Sequence, residues 1–519
     1  MKKIIFLILI FCISICNQLF AQNIIPASCV DVKTDGIYIP QVIIYGNESF
    51  TYFTEYEKGK EKNGVSSIAK YDKDMNFISR FMLDDMKSDS KNKDEETTLS
   101  FYTLKENILI VSRTVIENNN EKYSIGVVGY DLKLIQYSKE IYSTNDEFAK
   151  KVGSVISADS TSLLFIFGQY KKYGKKHNNI ITYCVNVDQT GKTLFQKSIE
   201  FNGIDNYDNT IKEIIYLDGS IYFGIALGYQ EMSNTNLYGI AKKNENQRYN
   251  YLIYQYSVLT SSLKQILNDK NVEDNYIYDN LLTSRNGVIY LLGCYTTDRS
   301  ASAQIFYNYD GHYLIRIDPK TNKVLTSNFW ENDLKQKSFV TSIKFKENGG
   351  YYVISENNNT NGFSFSDNMY IYNFDNSDKL IWKKKIEKQH QGGNLQKGAQ
   401  FMYSIEFVKE NDLYILMNEN KKNAELPINA PMAEYKNWEK GGLYCISFIY
   451  GDNFEKKKII FNSDEFGCDL YTSNPWYFTI HSKYMTERLS SYHINLKQNK
   501  IYNIGGIDEK RKISTLKIE

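Results

Sequence analysis

Five histidines, scattered carboxylates and a group of loop aromatics are the side chains of this sequence that are suited to chemistry. The histidines are His177, His312, His390, His481 and His493. No two of them have the paired spacing of a zinc site, and the acidic runs at 205–208 and 268–274 lack the fixed spacing of a calcium loop. The sequence has no Gly-x-Ser-x-Gly nucleophile elbow and no glycine-rich phosphate loop. We therefore predict no catalytic residue, no metal and no cofactor.

Aromatic side chains concentrate in several long polar connections. The binding residues that this pattern predicts are Tyr238, Tyr249, Phe306, Tyr307, Tyr309, His312, Tyr435 and Trp438. Exposed aromatic rings suit stacking on sugars or anchoring a protein partner. The alternative is that these rings pack against their own loops, because the chain contains 43 Tyr and 28 Phe in all.

The elements that must position these residues follow a repeat. A short hairpin recurs about every 60 residues, each time joining two strand-like segments through a tight polar turn. The second strands of these hairpins begin at Ser49, Ile108, Leu163, Ile221, Val288, Tyr351, Leu413 and Trp476. A second short turn, joining a third and a fourth strand, opens with Asp or Asn at Asp72, Asp131, Asp188, Asp318, Asp375 and Asn495. Asn, Asp and Gly suit such turns because these residues tolerate positive φ or hydrogen-bond their own backbone.

Four strands in each of eight repeats predict an all-β fold, a β-propeller of four-stranded antiparallel blades, with seven blades as the alternative to eight. The second-to-third connections are much longer than the two hairpin turns of each repeat, so one face of the propeller should carry elaborate loops. We expect this face to bind an envelope protein or a glycan without catalysis. Two alternatives stay open: a carbohydrate-active hydrolase or lyase with acidic residues in the central cleft, and a purely structural role in an envelope assembly.

The N-terminal residues have the layout of a secretory signal, with Lys2 and Lys3 before an apolar run and a small residue at Ala21. We expect cleavage before Gln22 and an extracytoplasmic location, periplasmic or secreted, with no transmembrane segment in the mature chain. The predicted organisation is a signal peptide at 1–21, an N-terminal segment at 22–36, the propeller at 37–505 and a C-terminal tail at 506–519. The tail is either a loose end or an added edge strand. Removing the signal leaves 60 basic and 61 acidic side chains, which argues against nucleic-acid binding.

Five cysteines remain after the predicted cleavage. Three of them, Cys184, Cys294 and Cys445, lie in strand-like runs and are typical of small buried side chains. Cys29 precedes the first blade and Cys468 opens the last, and these two blades must meet when the ring closes. An oxidising compartment permits a disulfide between Cys29 and Cys468, which is a hypothesis because pairing does not follow from sequence.

Three of the turns between third and fourth strands resemble a known repeat. They begin at Asp188, Asp318 and Asp375, and each runs from an acidic residue through a lysine towards an apolar or aromatic residue. In this the sequence resembles the blade repeat of quinoprotein-like (PQQ-repeat-like) β-propellers. Enzymes of that family carry adjacent cysteines and a calcium-bound quinone, and the sequence has no adjacent cysteines. The resemblance therefore implies the scaffold only, as in the non-enzymatic members that hold envelope complexes together.

Overall fold

The structure is a computed structural model, and its strands form eight four-stranded antiparallel sheets. It describes residues 24–31, 38–46, 49–57, 67–86, 96–115, 120–143, 149–173, 176–201, 210–226, 251–267, 275–297, 309–331, 338–357, 365–366, 368–388, 390–391, 404–428, 430, 443–466, 492–507 and 510–519. The sheets are the blades of an eight-bladed β-propeller, which confirms the predicted fold class and blade number.

Blades 1 to 7 each use four strands in chain order. Blade 1 contains β2 (Tyr38–Gly46), β3 (Phe50–Glu57), β4 (Ser67–Asp72) and β5 (Phe77–Met82); blade 2 contains β6 (Glu96–Thr103), β7 (Asn107–Val115), β8 (Glu121–Gly129) and β9 (Leu134–Ser143). Blade 3 contains β10 (Ala149–Ile156), β11 (Ser162–Tyr173), β12 (Lys176–Asp188) and β13 (Thr193–Phe201); blade 4 contains β14 (Thr210–Leu217), β15 (Ser220–Ala226), β16 (Tyr251–Ser257) and β17 (Ser262–Leu267).

Blades 5 to 7 continue this order. Blade 5 contains β18 (Tyr276–Arg285), β19 (Val288–Thr296), β20 (Gly311–Asp318) and β21 (Lys323–Glu331); blade 6 contains β22 (Ser338–Phe345), β23 (Tyr351–Asn357), β25 (Met369–Phe374) and β26 (Leu380–Ile386). Blade 7 contains β28 (Ser404–Lys409), β29 (Asp412–Glu419), β30 (Tyr444–Tyr450) and β31 (Glu455–Asn462). Two short strands, β24 (Phe365–Ser366) and β27 (His390–Gln391), pair separately. The described helices are a 3-10 turn (Leu83–Met86), α1 (Lys421–Glu425) and α2 (Ser463–Phe466), and none of them is long and apolar enough to cross a membrane.

The first strand of each blade lies nearest the central axis. First strands of neighbouring blades contact one another, as β10 does with β14 and β14 with β18. Most of the exposed large apolar side chains that the structure describes lie instead on fourth strands, which places those strands at the outer rim.

Blade 8 closes the ring by joining the two ends of the chain. Its strands are β32 (Tyr492–Asn495), β33 (Lys500–Ile507), β34 (Lys510–Ile518) and, outermost, β1 (Ile24–Asp31). The strands β1 and β34 are antiparallel, with Ile24 opposite Ile518. The propeller therefore extends beyond the predicted limits of 37–505, since the segment 22–36 supplies the edge strand β1. The tail 506–519 supplies β34, which lies between β33 and β1 and is neither a loose end nor an edge strand.

The predicted strand order of blade 8 needs a correction. The turn from Asn495 to Asn499 was predicted to join third and fourth strands, whereas it joins the first strand, β32, to the second, β33. The hairpin predicted just before Trp476 lies outside the described residues. The error arose because the fourth strand of this blade comes from the opposite end of the sequence, so counting strands along the chain shifts the assignment.

The turns between third and fourth strands have the predicted chemistry. The Asp188 carboxylate accepts hydrogen bonds from the backbone N–H groups of Thr190 (2.8 Å) and Lys192 (3.0 Å). Asp375 accepts in the same way from Ser377 and Lys379, both at 2.9 Å. The Ser377 hydroxyl also donates to Asp375 (2.7 Å), and this bond, together with the backbone bonds, holds the pKa of Asp375 below its usual value because it favours the charged carboxylate.

The core lies between blades, and tyrosines account for much of it. Tyrosines recur near the start of the second strand in six blades, at Tyr52, Tyr222, Tyr290, Tyr352, Tyr414 and Tyr502. Three of them donate hydrogen bonds to backbone carbonyls of the next blade: Tyr52 to Tyr130 (2.8 Å), Tyr222 to Pro319 (3.4 Å) and Tyr352 to Asn411 (2.8 Å). The high tyrosine content therefore serves blade-to-blade packing, in which a buried ring keeps a polar tip that must find a partner.

Candidate functional site

Most of the predicted aromatic binding face lies outside the described residues. This applies to Tyr238, Tyr249, Phe306, Tyr307, Tyr435 and Trp438. Their role in binding stays a prediction.

The two predicted binding residues that the structure describes are both buried, so the expectation that they are exposed is wrong. Tyr309 is 2% exposed and its ring lies 6.3 Å from that of Phe339. His312 is 1% exposed and lies beside the rings of Trp330 (6.0 Å) and Tyr372 (5.6 Å). Burial lowers the pKa of His312 to about 3, assisted by nearby Lys383, so this imidazole is neutral at physiological pH. Neither side chain offers surface to a partner.

The structure describes four of the five cysteines that remain after the predicted cleavage. Cys184, Cys294 and Cys445 are fully buried, as predicted. Cys29 is half-buried on β1, opposite Ser514, and Cys468 lies outside the described residues. The disulfide therefore stays a prediction.

One group of polar side chains within the described residues lies at the boundary between blades 6 and 7. Lys346, which follows β22, is buried, and its Nζ lies 2.9 Å from a carboxylate oxygen of Asp452 in blade 7. Asn373 donates to the same oxygen over 3.1 Å. The Lys346 ammonium also lies 4.8 Å from the centre of the Tyr352 ring. The buried Lys346 cation is thus matched by one carboxylate and one aromatic face, and the Asn373 amide also holds that carboxylate.

A second carboxyl group stands beside this ion pair. Asp412 begins β29 at the turn that follows β28, and burial together with the Glu410 and Asp452 charges raises its pKa to about 6. Lys346 opposes this rise without cancelling it. A carboxyl group with a pKa near 6 can exchange a proton near neutral pH. Asp412 lies on the face of the short hairpin turns, away from the face predicted to bind.

The channel wall between the same two blades carries another carboxylate. Glu406, on β28, accepts hydrogen bonds from the hydroxyls of Ser342 on β22 and Ser404 on its own strand. Lys344 lies 3.8 Å from the same carboxylate. These contacts join β28 to β22 across the boundary between blades 6 and 7.

Buried carboxylates near the long-loop end of the blades are also neutralised. Glu55, which is fully buried, accepts from Tyr71 (2.8 Å) and pairs with Arg80 (2.7 Å). Glu356 pairs with the buried Lys388 at 3.4 Å. Within the described residues, no group of three or more His, Cys, Asp or Glu side chains is arranged to hold a metal ion. The Glu55 and Glu356 pairs therefore fasten strands within blades 1 and 6.

Sequence reasoning missed these ion pairs, because their members lie far apart along the chain. Lys346 and Asp452 are 106 positions apart, and Lys344 and Glu406 are 62 apart. Lysines and acids are frequent throughout the sequence, so no local pattern marks such a pair.

Comparisons with known proteins identify no family. No protein-family model matches the sequence, and no curated protein matches it. Among solved structures, the WD40 domain of SCAP from fission yeast is 9% identical, covering 96% of this chain and 98% of that chain with a TM-score of 0.40. A eukaryotic initiation factor is 11% identical over 66% of this chain and 64% of its own, with a TM-score of 0.33. A mutant of the apocarotenoid oxygenase of Synechocystis is 9% identical over 67% of this chain and 71% of its own, with a TM-score of 0.34. These likenesses are too distant to carry a conclusion about function.

Proposed function

We propose that this protein is a non-catalytic binding scaffold that holds a protein or glycan partner on its long-loop face. The observation that carries this proposal is the use of the described buried carboxylates. Glu55, Glu356 and Glu406 each lie beside a cation of the propeller itself, as a rigid frame requires. A propeller is often a protein-binding scaffold, and its rigid blades present loops at fixed positions.

The topology supports placing the partner on the long-loop face. In blades of this strand order, the second-to-third connections leave at the end opposite the two hairpin turns. The connections at 227–250 and 297–310 are long, although those of blades 2 and 3, at 116–120 and 174–175, are as short as the hairpin turns, contrary to the sequence expectation. Binding residues tend to lie on long connections of a rigid framework.

We also propose that the protein works outside the cytoplasm, as a periplasmic or secreted protein. The charged, apolar and small-residue order of residues 1–21 supports this proposal. Mass spectrometry of the purified native protein should find Gln22 at its N-terminus and the protein in the extracytoplasmic fraction. A protein that keeps Met1 and stays in the cytosol would contradict the proposal.

The repeated acidic turns support a relation to quinoprotein-like propellers at the level of the scaffold. Asp188, Asp318 and Asp375 each open a turn and accept backbone hydrogen bonds within it. We infer that the likeness extends to non-enzymatic members of that family, whose role is to hold envelope complexes together.

The function can be tested by affinity capture from solubilised cell envelope. The parent is compared with a variant in which Phe306, Tyr307, Tyr435 and Trp438 are all changed to Ala. Tyr137→Ala is the matched control, because this tyrosine is 65% exposed on the outer strand of blade 2, away from the long loops.

The proposal would be supported if envelope proteins or glycans were recovered with the parent and the control and were lost with the fourfold variant. Equal recovery by all three proteins would contradict a loop-face partner. Hydrolysis or cleavage of a glycan by the purified parent would instead favour the carbohydrate-active enzyme.

A further inference from the structure

An open cleft of about 560 Å³ lies at the outer rim of blade 7, where the first part of that blade's second-to-third connection lies against β31. One wall is the segment that begins with α1 and continues through Leu426, Pro427 and Ile428. The other wall is the outer strand β31, at Lys457, Lys458 and Ile459. The cleft therefore runs along the last strand of a sheet.

The outer edge of β31 is the available edge of that sheet. The strand order of blade 7 ends at β31, and none of the described strands pairs with its outer side. An outermost strand presents backbone N–H and C=O groups that an extended peptide can pair with. A cleft beside such an edge leaves room for one more strand.

The two sides of β31 differ in chemistry. Lys457 donates from its Nζ to the carbonyl oxygens of Asn423 and Leu426, both at 2.8 Å, so its side of the strand faces the α1 segment. Because alternate residues of a strand face opposite sides, Ile459 shares that side, and Lys456 and Lys458 face the other. An added strand would meet Ile459 beside the hydrogen-bonded Lys457 on the first side, and Lys456 and Lys458 on the second.

Positive charge is in excess at this rim. β31 contains three lysines and one glutamate, and the neighbouring outer strand β26 contains three lysines and no acid. The glutamate, Glu455, lies 3.1 Å from Lys384 of β26. An excess of lysines on an edge repels basic chains and attracts acidic ones.

We propose that the outer edge of blade 7 binds an extended segment of a partner protein by strand addition, and that this segment alternates acidic and apolar residues. The apolar residues lie against Leu426, Ile428 and Ile459. The acidic residues lie beside Lys456 and Lys458. Backbone hydrogen bonds to β31 supply the affinity, and the alternation sets the register.

The test is fluorescence anisotropy with a labelled heptapeptide of alternating glutamate and valine. Two matched probes are a lysine–valine heptapeptide and a glutamate–valine heptapeptide whose alternate amides are N-methylated. The protein variants are Lys458→Glu in the cleft and, as control, Lys133→Glu, whose side chain is 83% exposed on blade 2. Hydrogen exchange of the parent, with and without peptide, reports independently on the amides of β31.

We expect the glutamate–valine peptide to bind the parent and the control alike, and to bind Lys458→Glu about tenfold more weakly, since one reversed contact changes affinity by about that factor. The lysine–valine and N-methylated peptides should not bind, and the peptide should slow exchange in β31. The proposal would be overturned if the glutamate–valine and lysine–valine peptides bound equally well. It would also be overturned if the N-methylated peptide bound, or if the peptide left hydrogen exchange in β31 unchanged.

Discussion

Replacing Asp378 by Asn tests whether a buried ion pair fastens blade 5 to blade 6. Asp378 lies in the turn between β25 and β26, and its side chain is 3% exposed. Its carboxylate accepts from Arg316 in blade 5 (2.9 and 3.0 Å), from Tyr351 (2.9 Å) and from Thr326 (2.8 Å). Asn keeps the size of the side chain and tolerates the positive φ of 66° at this position, so the substitution removes mainly the charge.

The expected loss follows from the exposure of the two partners. Removing one member of a fully buried ion pair costs about 3–5 kcal/mol, because the other charge stays buried and unpaired. Arg316 is 21% exposed and can regain part of its hydration. An exposed pair contributes about 0–1 kcal/mol. We therefore expect Asp378→Asn to lower the free energy of unfolding by about 2–3 kcal/mol.

The assay is urea unfolding of the parent, Asp378→Asn, Arg316→Met and the double variant. The double-mutant cycle should give a coupling energy of about 2 kcal/mol between the two side chains. Asp375→Asn is the matched control in the same turn, because it removes an exposed carboxylate that bonds only to its own turn. The control should shift the urea midpoint less than Asp378→Asn does.

The reasoning would be refuted by a loss below about 1 kcal/mol for Asp378→Asn, or by a coupling energy near zero, since either result places the pair with ordinary surface ion pairs. It would also be refuted if Asp375→Asn shifted the urea midpoint as much as Asp378→Asn does, because disturbance of the turn would then explain the loss of stability without the ion pair.

Three further predictions concern the carboxyl group of Asp412, a close contact within blade 4 and a hydrogen bond between blades 6 and 7. Because the pKa of Asp412 is raised to about 6 from about 3.9, its charged form destabilises the folded state above pH 6 and has no such effect below pH 4. In thermal melts, Asp412→Asn should therefore raise stability by about 1–2 kcal/mol at pH 7.5, a figure that allows for partial exposure, and should not change it at pH 4. Gly224→Ala would place a Cβ 1.8 Å from the Tyr251 hydroxyl and should cost about 1–3 kcal/mol, whereas Tyr251→Phe, which removes a buried hydroxyl without a partner, should partly restore the stability of that variant. Tyr352→Phe removes the hydrogen bond to blade 7 and should cost about 1 kcal/mol in urea unfolding; an unchanged midpoint would show that the bond adds nothing.

The parts of the fold that depend on local turn chemistry could be predicted from the sequence. Acidic residues such as Asp188 and Asp375 open the turns between third and fourth strands, and their carboxylates bond the backbone that follows. Such turns recur at the repeat interval because each depends on a few adjacent residues. The number of blades was predicted from the eight recurring hairpins between first and second strands, not from these turns.

The parts that depend on contacts between blades could not be predicted. Tyr309 and His312 follow a long polar connection and resemble loop aromatics in sequence, yet they pack into the core between blades. The recurrence of tyrosine at one position of the repeat, as at Tyr52, Tyr222 and Tyr352, is the sequence pattern that would have indicated that tyrosine packs between blades here. The cleft beside β31 gave no signal, since its two walls are separate segments of the chain.

Because β1 and β34 close the ring, β1 cannot pair until the end of the chain has been synthesised. About 480 residues separate the two strands, so at about 10 residues per second the ribosome needs about 50 s to make the partner of β1. During that time Ile24–Asp31 has no β34 to pair with, while the strands of blades 1 to 7 are completed in order. A chain that stops short of Lys510 would leave β1 without its partner permanently. Quality control that recognises unpaired strands could thus distinguish a truncated chain from a complete one, even when the first seven blades have folded.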